Sequence, residues 1–216
     1  MPIWTARELA TAVLTTMQDV LVHQRGRWAN LLAHQHQVEG WWKAEFALAL
    51  ESWCWRQDHP EPVWVFSEVK PRDHGIGTGR DSVDLMVARW SESERRVQRE
   101  PPRIWIEIKE RGTWWGSPAK AFGDANAGLR SDLAKWREAN WLPGDTVLAC
   151  QIIAHDADAN ASCHLPENWS TALNTIAEEF PRYVPTRSVC CPVVNPAGDS
   201  IMHRFATMEF FTIFGS

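Results

Sequence analysis

Between Arg103 and Glu110 the chain reads RIWIEIKE, with isoleucine at positions 104, 106 and 108. Successive side chains of an extended strand point to opposite faces. The run therefore turns one isoleucine face toward a core and places Trp105, Glu107 and Lys109 on the other. An apolar strand that holds a carboxylate and an ammonium two residues apart needs a chemical reason for them.

The surrounding pattern gives this strand its neighbours. Thr5-Ala6-Arg7-Glu8 has the form of a capping box and predicts a helix from about Ala6 to Val22. A second helix is expected from near Trp28 through GWWKAEFALALESWCW, bent at Gly40 and stopped by the prolines at 60 and 62. PVWVFSEV, SVDLMVARW and RIWIEIKE then read as three successive strands, an antiparallel meander. Phe122, Asn126, Leu129, Leu133 and Trp136 recur at helical spacing, and TVLACQIIAH reads as a fourth strand. A helix around Thr171 to Phe180 and strands near SVCCPVV and FATMEFFTIF complete the chain. The expected fold is α/β, a mixed sheet between helices, in one domain over residues 1–216 with its core at about 28–155 and a C-terminal α/β extension at about 156–216.

Composition excludes several alternatives. At 216 residues, 23% charged and 44% hydrophobic, the chain supports one substantial core and little disorder. No apolar run approaches the length of a membrane span, and the first twenty residues lack the pattern of a secretory signal, so a cytoplasmic location is the default expectation. Five cysteines without CxxC spacing encode neither a disulfide framework nor a zinc ribbon. The net charge of −5 is unevenly spread: Lys70 to Arg137 holds 14 basic against 10 acidic residues, a local +4 that leaves −9 elsewhere.

Asp84, in the apolar run VDLMV, lies on the strand before RIWIEIKE. Adjacent antiparallel strands would bring Asp84 and Glu107 close enough to share a divalent metal. Magnesium is commonly held by one or two carboxylates completed by water and phosphate oxygens, and Lys109 would add positive charge beside it.

Asp84 on one strand, then Glu107-Ile108-Lys109 on the next, followed by a helix and a strand, resembles the PD-(D/E)xK superfamily of restriction-endonuclease-like nucleases. The resemblance covers about Trp28 to His155 and implies an αβββαβ core. It also implies Mg2+ or Mn2+ held by Asp84, Glu107 and the carbonyl of Ile108, with Lys109 assisting phosphodiester hydrolysis. Many members add a glutamate from the preceding helix. Glu45 is favoured for that role because its surroundings are more apolar, and Glu39 is the rival. The two are about 240° apart around a helix and cannot both face one site. Ser82-Val83 stands where the family often has proline before the aspartate.

Other features have plainer readings. Ser67-Glu68-Val69-Lys70 repeats the Glu-x-Lys spacing without an upstream strand or a downstream helix. Trp105, Trp114 and Trp115 suit base stacking but are three of 14 tryptophans, so core packing is the first expectation. Arg111, Lys120, Arg130, Lys135 and Arg137 fit phosphate contacts or a solvated helix face equally well. The glycines at 75, 77 and 79 lack the Gly-Lys-Ser/Thr ending of a phosphate loop, and His155, Asp156, Asp158, Cys163 and His164 match no metal template.

The functional expectation is an Mg2+-dependent endodeoxyribonuclease, with roles such as restriction or defence against mobile DNA. Its partner would be DNA, with a homodimer suited to double-strand cutting and targeting left to a partner protein or to limited specificity. An RNA-directed nuclease is a weaker variant. The alternative class is an inactive nuclease-fold interaction or immunity-type module.

Overall fold

The computed structural model describes residues 4–24, 27, 39–57, 62–76, 82–91, 93–98, 100, 102–112, 127–128, 130–132, 134, 136, 139–157, 178, 184–193 and 203–214. Helices α1 (Ala6–His23) and α2 (Glu39–Arg56) precede strands β1 (Val63–Val69), β2 (Val83–Ser91), β3 (Arg96–Val97), β4 (Arg103–Gly112), β5 (Asp145–Ala157), β6 (Val184–Val193) and β7 (His203–Phe214). The strands lie in the order β1-β2-β4-β5-β7-β6, and β3 pairs with the end of β2. Among the described strands, β4 and β5 run parallel and the other pairs are antiparallel.

The helix α1 begins as its sequence dictates. Thr5 Oγ1 accepts the Glu8 amide at 3.2 Å, and Glu8 Oε2 accepts the Thr5 amide at 3.1 Å. Such a cap stabilises a helix by about 1 kcal/mol. Leu9, Val13, Met17 and Leu21 then point into the core. From α2, Trp42, Phe46 and Leu50 are fully buried, each worth roughly 1.5–3 kcal/mol of burial. They pack with α1 on Leu85, Val87, Ile104, Ile106, Ile108, Leu148 and Cys150. The isoleucine face of RIWIEIKE is thus the face under the helices.

The opposite face holds a second apolar cluster: Ile76, Val83, Met86, Ala88, Trp105, Val147 and Ala149, packed with Trp136. Trp136 comes from helical positions between 127 and 136, between β4 and β5 in the chain. The sheet is therefore covered on both sides, and the fold is mixed α/β with a mixed sheet flanked by helices. The late strands do not form a separate layer: β7 pairs along the whole of β5, and β6 pairs with β7. The predicted helix around 171–180 and the first part of the second predicted helix, 28–38, lie outside the described residues save position 178, which is helical.

At the base of the parallel pair, Arg103 and Asp145 occupy matched register positions and are buried. Arg103 Nε and Nη2 each donate to Asp145 at 2.7 Å, and Trp105 Nε1 donates to Asp145 Oδ1 at 3.3 Å. Asp145 Oδ2 also accepts the Leu142 amide at 3.1 Å. This bidentate clamp fixes where β5 starts relative to β4.

Candidate active site

Strands β2 and β4 separate at the end opposite that clamp. Their pairing stops at Leu85 opposite Ile106. One step further the Ile108 amide finds no backbone partner on β2, and the Asp84 side chain takes its place, Oδ2 accepting that amide at 2.7 Å. The split thus holds a carboxylate where a ladder bond would have been. A strand residue turns its amide and carbonyl toward the same neighbour, so the Ile108 carbonyl lies on the Asp84 side of β4.

Met86 and Trp105 belong to the cluster on the face away from α1 and α2, and alternation along β4 puts Glu107 on the same face as Trp105, whereas Asp84, at the end of β2, meets Lys43 of α2. Glu107 is 5% exposed and Asp84 7%. Glu107 Oε1 accepts from Lys109 Nζ at 3.0 Å, while Glu107 Oε2 is buried without a hydrogen-bond partner. Lys109 Nζ also lies 3.8 Å from Asp132 Oδ2, contributed by the helical positions after β4. On the other flank Lys43 Nζ, from α2, sits 2.6 Å from Asp84 Oδ1 and 3.2 Å from Glu39 Oε1. Glu39 Oε2 accepts the Glu110 amide at 3.5 Å.

Burial, and then the charge of Asp84, raises the Glu107 carboxyl from its ordinary value near 4.5 to about 7, against the lowering influence of Lys109. Burial alone would lower Lys109, but the charges of Glu107 and Asp132 outweigh it and raise its pKa. Lys109 is therefore an ammonium at neutral pH, without a free amine to take a proton. Lys43 is likewise raised, the hydrogen bond and charge of Asp84 overcoming desolvation.

Four carboxylates, Glu39, Asp84, Glu107 and Asp132, surround two ammonium groups, Lys43 and Lys109. A divalent cation matches the buried, unpartnered Glu107 Oε2 beside the Asp84 carboxylate. Asp84 and Glu107, with the Ile108 carbonyl, are the groups that would hold it, its remaining positions filled by water or phosphate oxygens. Among the described residues, no three His, Cys, Asp or Glu side chains converge tightly enough to hold a metal by themselves.

The structure places Asp84, Glu107, Ile108 and Lys109 close together, and of the two helical glutamates it puts Glu39, not Glu45, beside them. Glu45 turns away and pairs with Arg27 Nη1 at 3.0 Å, whereas Glu39 reaches Lys43 beside Asp84. The cause is angular. At about 100° per residue, Glu39 lies within roughly 20° of the Trp42, Phe46 and Leu50 stripe, and Glu45 lies about 100° from its centre. Asp132 and Lys43 were not anticipated. Lys43 follows Glu39 by one helical turn, and Asp132 precedes Trp136 by one turn, so both signals were periodic.

The second Glu-x-Lys, at Glu68 and Lys70, is exposed; Glu68 has a left-handed φ of 52° and accepts from Ser82 Oγ at 3.0 Å. Trp105 is buried, edge-on to His74, and unavailable for stacking on a base. Arg130 is half-buried. Trp114, Trp115, Lys120, Lys135, Arg137, Asp158, Cys163 and His164 fall outside the described residues, as do the side chains of Arg111, His155 and Asp156. Among the described residues no helix is long and apolar enough to cross a membrane.

Comparison with known proteins finds no family model, no curated protein and no solved structure that matches this chain.

Proposed function

We propose that this chain is a metal-dependent nuclease of the PD-(D/E)xK kind, acting on phosphodiester bonds of DNA. The observation that carries the reading is the buried pair Asp84 and Glu107, with Glu107 Oε2 unpartnered and Lys109 beside it. The order of elements supports it: a helix, an antiparallel three-strand meander, helical positions, then a parallel strand beside the third. This succession is compatible with the αβββαβ order that the sequence resemblance implies.

In this reading Asp84 and Glu107 would hold Mg2+ or Mn2+, which when bound would acidify a water and polarise a phosphate oxygen. Glu39 replaces Glu45 as the helical acid and holds the Lys43 side of the site. Lys109, kept charged by Glu107 and Asp132, neutralises negative charge that builds on the phosphate oxygens in the transition state. The isoleucine face of β4 fixes Glu107 and Lys109 on a rigid strand, so their placement costs little ordering at the moment of reaction.

The non-catalytic module remains the second reading, because both Asp84 oxygens already have partners, Lys43 and the Ile108 amide. One assay separates the two. Purified protein with Mg2+ or Mn2+ should cut DNA; Asp84→Asn, Lys109→Met and Glu39→Gln should each lose at least about 100-fold, and Glu45→Gln should stay within a few-fold of the parent. RNA in parallel reactions tests the substrate class. Absence of metal-dependent cutting, or cutting that survives Lys109→Met, contradicts the nuclease.

A further inference from the structure

Lys43 is not part of the Asp84, Glu107, Lys109 constellation, yet its ammonium is 2.6 Å from Asp84 Oδ1 and 3.2 Å from Glu39 Oε1. Both carboxylates are held from other directions by main-chain amides, Asp84 by Ile108 and Glu39 by Glu110. The two acids are thus fixed on elements on either side, and a cation is placed between them. Beside this pair, Glu107 keeps one buried oxygen without a hydrogen-bond partner. Lys43 is about a quarter exposed, on a long flexible stem that can carry the charge toward solvent.

We propose that Lys43 is a built-in competitor for the divalent metal: its ammonium holds the cation position at Asp84, and Mg2+ or Mn2+ binds there only by displacing it. The inference rests on the metal-site reading and adds its regulation. A monovalent charge from the protein keeps two neighbouring acids, Asp84 and Glu39, compatible before metal arrives and sets a threshold concentration for loading. The exchange breaks and makes no covalent bond. One ammonium leaves the Asp84 carboxylate and one divalent cation takes its place, so the net charge of the site rises by one when Lys43 swings away and by two when it stays nearby.

The test uses the full chain and Mn2+ alone, with free Mn2+ followed by electron paramagnetic resonance. Lys43→Gln and Lys43→Met should bind Mn2+ more tightly than the parent by about tenfold or more, the scale of one removed charge at a partly exposed site. Lys43→Arg should keep the parent affinity, and Asp84→Asn added to Lys43→Gln should abolish the gain. A measurement without substitution accompanies it: acylation of Lys43, read by mass spectrometry, should rise when Mg2+ is added to the parent protein. Parent protein that binds Mn2+ while Lys43→Gln binds equally or more weakly overturns the competitor and leaves the metal site standing. Unchanged Lys43 acylation on metal binding overturns it too. No Mn2+ binding by the parent or either neutral variant overturns both the competitor and the metal site.

Discussion

Glu107 shows how a single residue ties stability to chemistry. Its carboxyl is raised from near 4.5 to about 7 by burial and by Asp84, so in the metal-free protein it keeps its proton where the unfolded chain has already lost it. Between those two values the folded state binds more protons than the unfolded one, and stability falls as pH rises. The contribution is complete below about pH 4.5 and lost above about pH 7, with an amplitude on the order of 3 kcal/mol at most. Glu107→Gln, which cannot ionise, should therefore gain on the parent protein as pH climbs from 4.5 to 8 in the presence of a chelator, read from urea midpoints. Parallel pH curves for the two proteins would show that Glu107 is not strained. The same residue was legible in the sequence because strand alternation puts it opposite three isoleucines. The choice between Glu39 and Glu45 was missed because apolar neighbours in sequence say less about burial than angular position on the helix.

At the level of elements, β4 is clamped to β5 at one end and parts from β2 at the other. The clamp of Arg103 on Asp145 sits at matched register positions of β4 and β5, fully shielded from solvent. Removing one partner leaves a buried charge uncompensated, which typically costs about 3–5 kcal/mol. Arg103→Met or Asp145→Asn alone should lower the urea midpoint accordingly, and Arg103→Met combined with Asp145→Leu should recover much of the loss. Single variants within about 1 kcal/mol of the parent would remove the clamp from the account of register. Nothing in RIWIEIKE announced the clamp, since Arg103 reads as an ordinary charged residue at a strand start and its partner is 42 positions away. Strand β3 was likewise invisible: two residues paired in a charged connection carry no alternation long enough to read.

At the scale of the molecule, a mixed sheet covered on both faces explains why the site lies where it does. One face of β4 packs under α1 and α2, the other carries Glu107 and Lys109 beside the helical positions that supply Asp132, and Asp84 at the end of β2 is reached by Lys43 of α2. The helix, meander and parallel strand were readable from local periodicity and chain order. The placement of β6 and β7 at the far side of β5 was not, because alternation identifies a strand without naming its neighbour. The split between β2 and β4 is the proposed site of a divalent metal. In anomalous diffraction from crystals soaked in Mn2+, one peak should lie within roughly 2.0–2.3 Å of a carboxylate oxygen of Asp84 and of Glu107 Oε2. A map with no peak there, with Lys43 still seated on Asp84 at millimolar Mn2+, would contradict it.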